Sequence, residues 1–320
     1  MKKSTRWRWC LCLTLMAMGC SKASESNIGE MKKNISREAP ISAVATVGMI
    51  ANAVKEVGGE LVKVTGLMGP GVDPHLYKAS EGDIQRLSEA DVIFYNGLNL
   101  EGKMGDIFVK MARARPVVAV TDNIDPKLLR EPPEFQGHFD PHVWFDVKLW
   151  SQTVPIIADA LTKIDPAHAG VYKSNADRYV QELLELDHWC RSEIAKIPPS
   201  ERVLVTAHDA FGYFGKAYQI EVLGLQGIST VSEFGLKDVQ RLVDLIVSRN
   251  VKAVFVESSI PKRSIEAVVE GARSRGHQVA IGGTLYSDAM GMAGTPEGTY
   301  VGMVKANVST IVAALLGKTS

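Results

Sequence analysis

The chain has 320 residues, 46% of them hydrophobic and 22% charged, an ordinary globular composition with apolar material for one large domain or two modest lobes. Its 36 basic residues balance 36 acidic ones. The whole-chain field therefore gives no reason to expect nucleic acid or an anionic surface as partner, and any specificity must be local.

At the start, Lys2, Lys3, Arg6 and Arg8 precede the apolar run "WCLCLTLMAMG", which ends at Gly19 before Cys20. That run is short of the ~20 residues a helix needs to cross a ~30 Å hydrocarbon core, so residues 1–19 read as a secretory signal peptide. "AMGC" resembles the lipobox of bacterial lipoproteins, in which the cysteine becomes the lipidated first residue of the mature chain, although Ala17 stands where leucine is usual. The resemblance implies lipidation at Cys20. Loss of the signal removes Cys10 and Cys12 and leaves Cys20 and Cys190, so no disulfide framework is expected. Cys190, in the amphipathic stretch "VQELLELDHWCRSEI", reads as a buried small hydrophobe. Residues 20–40 hold few large apolar side chains and read as a flexible, lipid-anchored tether.

From residue 41 short β-branched runs alternate with helical patterns, the mark of βαβ units and a parallel sheet. "ISAVATV", "LVKVTGLM", "DVIFYNG" and "PVVAV" read as strands of a first lobe, residues 41–164; "RVLVTA", "IEVLGL", "KAVFVES" and "QVAIGG" repeat the order in a second, residues 199–320. "DIQRL" at 83 parallels "DVQRL" at 238, which supports a duplicated lobe. Between them, Asp165 as N-cap and Pro166 at the first helical position open a linking helix in residues 165–198. From Pro166 to Ile197 it would be about 48 Å long at 1.5 Å per residue. The predicted fold class is α/β: two lobes, each with a mainly parallel four-stranded sheet flanked by helices, joined by a single long rigid helix.

Open parallel sheets bind ligands beyond the carboxyl ends of their strands, and four polar residues fall there. His75, in "GPGVDPHLYKAS", follows the second strand; His142, in "GHFDPHVWFD", follows the fourth; His208 ends "RVLVTAH"; Asp288, in "YSDAMG", follows the last strand. Three imidazoles and a carboxylate make a credible ligand set for Zn²⁺, Mn²⁺ or Fe²⁺, whereas calcium or magnesium would want oxygen donors. His138, four residues before His142, would share a helix face with it, but Pro141 intervenes and pushes Asp140 towards extended geometry. His138 is therefore a candidate for the outer shell or the rim. Glu257, in "FVESSI", has two readings: an outer partner that fixes an imidazole tautomer, or a structural hydrogen bond at a strand end. Asp73, Asp140 and Asp209 leave the same two readings open. His168, His188 and His277 read as solvent-facing polar residues, and Trp144, Phe145, Phe211, Tyr213 and Phe214 as packing that keeps the site dry.

"DPHLYKAS", "FDPHVWFDVKLW", "VLVTAHDAFGYFGKAY", "GLQGIST", "IGGTLYSDAMG" and "GTYVGMVKANVSTIV" resemble, in this order, segments of the manganese, zinc and iron solute-binding proteins of ABC importers, most closely the Tro-type zinc/manganese binders. The resemblance covers residues 41–320. It implies two lobes joined by one long helix, a metal clasped by His75, His142, His208 and Asp288, and delivery to a membrane permease driven by a cytoplasmic ATPase. It implies a monomer at the outer face of the membrane or in the periplasm, without enzymatic activity. His208 stands where manganese-dedicated relatives often carry Glu, which suits zinc; the long His-rich loop of zinc-uptake members is missing, which speaks against zinc alone. Two other functions compete. A secreted zinc hydrolase would need an open coordination position and a base, and "HExxH" does not occur. A surface adhesin would need a partner that nothing in the sequence specifies.

Overall fold

Strand β1 (Ile41–Ala45) is almost wholly buried, as a central strand of a parallel sheet covered on both faces must be. The computed structural model describes residues 39–135 and 137–318; the signal peptide, Cys20 and all but the last two residues of the tether lie outside the described residues. Around β1 are β2 (Val62–Gly66), β3 (Val92–Tyr95) and β4 (Val117–Ala119), in the order β2-β1-β3-β4, all parallel. The crossovers are α1 (Gly48–Gly58), α2 (Glu81–Glu89) and α3 (Gly105–Met111). Helix α2 starts at a capping box: Ser80 accepts the Asp83 N–H, and the Asp83 carboxylate accepts the Ser80 N–H.

Residues 121–164, to which the sequence reading assigns no elements, form single 3₁₀ turns punctuated by Pro126, Pro133 and Pro141, then α4 (Val147–Trp150) and α5 (Thr153–Ile164). The long helix follows as α6 (Ala169–Ile194), whose 26 residues span about 39 Å. It is shorter than expected because Pro166–His168 is a 3₁₀ turn and the α-helix stops at Ile194, ahead of Pro198. Asp165 makes no side-chain cap; its carboxylate instead accepts the Tyr172 hydroxyl and pairs with His168 Nδ1.

The second half runs β5 (Val203–His208), α7 (Gly212–Tyr218), β6 (Glu221–Gln226), α8 (Leu236–Ser248), β7 (Ala253–Glu257), α9 (Arg263–Ser274), β8 (Ala280–Leu285) and α10 (Tyr300–Leu315). Strands β5 and β6 pair in parallel, as do β7 and β8, and β5 lies beside β7. The spatial order β6-β5-β7-β8 thus repeats that of the first half. The ladder is interrupted between β5 and β7, so the half is built of two strand pairs rather than one continuous sheet.

Helix α6 packs against α1, α5 and α10 through Tyr172, Ala176, Tyr179, Leu183, Leu186 and Cys190. Their alternating spacing of four and three puts one apolar stripe on one face. Truncating Leu183, fully buried in that stripe, to Ala would cost about 2–5 kcal/mol. A continuous apolar core runs from β1 through α6 and α10 to Phe211 and Phe214, and a smaller cluster fills the space between β5, β7, α8 and α9. Such packing makes α6 a shared structural member of both halves, which resists large hinge motion. Cys190 is free and buried, and burial pushes its thiol up to about 12. Among the described residues no helix is long and apolar enough to cross a membrane.

Candidate metal centre

Four side chains meet where the strand ends of the two halves face each other. His75 comes from the irregular stretch between β2 and α2, and His142 from the turn before Val143–Phe145; His208 is the last residue of β5, and Asp288 follows β8. One donor atom from each lies within 4.8 Å of every other. His75 Nε2 is 3.3 Å from His142 Nε2. The Asp288 carboxylate lies 3.8 Å from His75 Nε2, 3.4 Å from His142 Nε2 and 3.3 Å from His208 Nε2. All four are buried, none with more than 3% of its surface exposed.

Two of the imidazoles are held from behind by carboxylates. Asp140 Oδ1 accepts the His142 backbone N–H at 3.0 Å and faces its Nδ1 at 2.8 Å. Glu257 does the same for His208, taking the backbone N–H at 2.9 Å on Oε1 and facing Nδ1 at 2.6 Å on Oε2. A carboxylate on Nδ1 fixes the tautomer with the Nε2 lone pair turned inward and makes it a better donor to a cation. Asp140 is itself held by the Arg130 guanidinium, and its carbonyl accepts the Tyr213 hydroxyl at 3.0 Å. Arg130 fits because residue 212 is glycine: a Cβ there would overlap the guanidinium. Asn96, at the end of β3, donates to the Pro141 carbonyl at 3.0 Å, next to His142. The Trp144 indole donates to the Ser287 carbonyl at 3.1 Å and so steadies the turn that carries Asp288.

The electrostatics divide the imidazoles. Burial lowers His75 to about 3, so this ring is neutral at physiological pH. Burial also works against charge on His142, but Asp140 and Asp288 outweigh it and raise the ring to about 9. For His208 burial is overcome by Glu257 and Asp288, which raise it well above the ordinary value. Asp288, which burial alone would raise, is held well below the carboxylate range by His208 and His142. Protons on two rings thus occupy the place of a dication.

The donor chemistry suits a transition metal better than the protons do. Both Asp288 oxygens and His208 Nε2 are buried without a hydrogen-bond partner; they stand within ion-pair reach but outside hydrogen-bonding geometry. Buried polar atoms are rarely left so, and a cation at the centre would engage all of them. Nitrogen and carboxylate donors in fourfold arrangement fit Zn²⁺ and Mn²⁺.

His138 is not brought to this cluster. It is exposed, its backbone N–H bonds to the Phe135 carbonyl and its ring lies 5.4 Å from the Phe135 ring. No helix covers residues 138–142, so the shared face is absent, and Asp140 takes the position behind His142. His188 is exposed, whereas His168 and His277 are half-buried, bonded to Asp165 and to the Val251 carbonyl. The five aromatic residues are buried; Trp144 and Tyr213 also hydrogen-bond the cluster's supports. Arg130 and Asn96 escape the sequence reading. Asn96, a polar residue at a strand's carboxyl end, meets the criterion that selects His208; Arg130 follows no local signal.

This fold and cluster define a class, the solute-binding proteins for metal ions, and the chain belongs to that family: residues 43–314 match the family "Zinc-uptake complex component A periplasmic". Among individual proteins it is similar to the manganese-binding lipoprotein MntA of Bacillus subtilis (strain 168), 53% identical over 280 residues that cover 88% of this chain and 91% of the relative. It is also similar to the zinc-binding protein TroA of Treponema pallidum (strain Nichols), 48% identical over 305 residues, 95% of this chain and 98% of that one. The solved structure of periplasmic TroA from Treponema pallidum superposes with a TM-score of 0.85 at 51% identity, covering 87% of this chain and 99% of that chain.

Proposed function

We propose that the protein captures one divalent transition-metal ion, Zn²⁺ or Mn²⁺, outside the cytoplasmic membrane and delivers it to an ABC importer. His75, His142, His208 and Asp288 hold the ion; Asp140 and Glu257 orient two of the imidazoles. The observation that carries this reading is the set of four buried donors, with Asp288 oxygens that lack a hydrogen bond. Relatives named for manganese and for zinc binding support both metals. By the usual divalent order zinc is held tighter, and Fe²⁺ is compatible with the same donors.

A membrane permease with its cytoplasmic ATPase receives the metal, and a lipid on Cys20 anchors the chain as a monomer at the outer face of the membrane or in the periplasm. No reaction is catalysed: four protein donors fill a tetrahedral shell and leave no position for an activated water. Elemental analysis of the purified protein, paired with competitive titration by Zn²⁺ and Mn²⁺, tests the reading. One metal per chain is expected. No uptake of either ion, or turnover of ester or peptide substrates with zinc bound, would overturn it.

A further inference from the structure

The three imidazoles are not equally well held. His142 and His208 each have a carboxylate that grips both backbone N–H and ring Nδ1. His75 has Asp73, which takes the backbone N–H on Oδ1 at 2.8 Å but pairs with no ring nitrogen. The His75 ring is therefore positioned through its loop, and whatever fixes that loop fixes the donor.

What fixes it comes from the other half. The second oxygen of Asp73 accepts the hydroxyl of Thr230, 157 residues away, at 2.6 Å. Thr230 is buried, and its own turn is shaped by Gln226, whose amide donates to the carbonyls of Thr230 at 2.9 Å and Ser232 at 2.6 Å. Gln226 is the β6 residue in register with His208 on β5. One chain of contacts thus ties the His75 backbone through Asp73, Thr230 and Gln226 to the strand pair that carries His208. The loop leans on the second half at another point as well. Gly71 has a positive φ of 74°, and a Cβ there would lie 3.4 Å from the Ser258 carbonyl oxygen, next to Glu257.

The link lies at the rim of the cluster. Leu76 beside His75 and Val231 beside Thr230 are 46% and 56% exposed, while His142, His208 and Asp288 are sealed.

We infer that Thr230 is a positioning residue which, through the hydrogen bond from its hydroxyl to Asp73, holds the His75 loop across the cleft and sets the rate of metal release. This rests on the metal-binding reading of His75, His142, His208 and Asp288. Metal on the four donors needs the loop closed, and the loop opens by breaking a hydrogen bond to a charged acceptor. Removing that bond should speed release by about tenfold.

The experiment is a chelator chase of the Zn²⁺-loaded full chain in wild-type, Thr230→Val and Thr230→Ser forms, with thermal melts of each protein free of metal. Thr230→Val should release Zn²⁺ about tenfold faster and Thr230→Ser within twofold of wild type, with each metal-free chain melting cooperatively as a folded protein. A wild-type release rate in Thr230→Val overturns the inference, as does equal acceleration by Thr230→Ser, which would show that side-chain shape rather than the hydroxyl matters. A second reading comes from Asp73→Ala. If both side chains act through one bond, adding Thr230→Val to Asp73→Ala brings no further acceleration; additive effects overturn the inference. Failure of the wild-type chain to load Zn²⁺ sinks the metal-binding reading instead, so the two failures are distinguishable.

Discussion

Asp288 is the single anionic member of the four-residue cluster, and Asp288→Asn removes its charge while keeping its shape. Its oxygens lie 3.3 to 3.8 Å from three imidazole nitrogens and are sealed from water. Breaking a buried charge pair costs about 3–5 kcal/mol, which corresponds to a loss of metal affinity of roughly 10²–10⁴-fold. One effect offsets part of this. Without the Asp288 charge, His142 and His208 hold their protons less tightly, so fewer protons compete with the metal. The net loss should fall near the lower end, on the order of 10²-fold. Competitive titration of Zn²⁺ against a chromophoric chelator measures it, with a metal-free melt to show that the variant is folded. An Asn variant that binds Zn²⁺ within threefold of wild type would mean that the carboxylate is not a metal donor.

Two further outcomes follow from the same geometry. With His142 raised to about 9, His208 raised well above its ordinary value and His75 lowered to about 3, the metal-free cluster holds two imidazole protons at neutral pH. Bound metal needs neutral rings, so uptake expels both, and affinity climbs by about 100-fold per pH unit between about pH 6 and 8. Calorimetry in buffers of differing protonation enthalpy should count about two protons released per metal, and a count near zero would refute the assignment. Glu257→Gln keeps a hydrogen bond to His208 but removes the charge behind Nδ1, and should weaken metal binding about 10–100-fold at constant fold; unchanged affinity would return Glu257 to a purely structural role.

Much of this was legible in the chain itself. The alternation of β-branched runs with helical patterns marks a parallel α/β fold, and strand-end position picks out His75, His142, His208 and Asp288 because both signals are local. Pro166 and the amphipathic stretch "VQELLELDHWCRSEI" mark the long helix for the same reason. Other features were not local. Residues 121–150 have no sustained period, so α4 went unread; α5 was missed although Val154, Ile157, Ala158 and Leu161 follow a helical spacing. Asp165 looks like a cap by position, yet Tyr172, one helical turn beyond His168, draws its carboxylate away from the backbone.

The amino-acid sequence by itself determined which residues stand at strand ends, that Asp-Pro-His occurs twice, and that three imidazoles and a carboxylate are on offer. Only the tertiary structure decided how they are held. It turned His138 outward, set Glu257 behind His208 from 49 residues away, brought Arg130 into the gap left by Gly212, and joined Thr230 to Asp73. Such pairings arise where two halves of the chain meet, and periodicity along either half carries no information about which side chain will face it from the other.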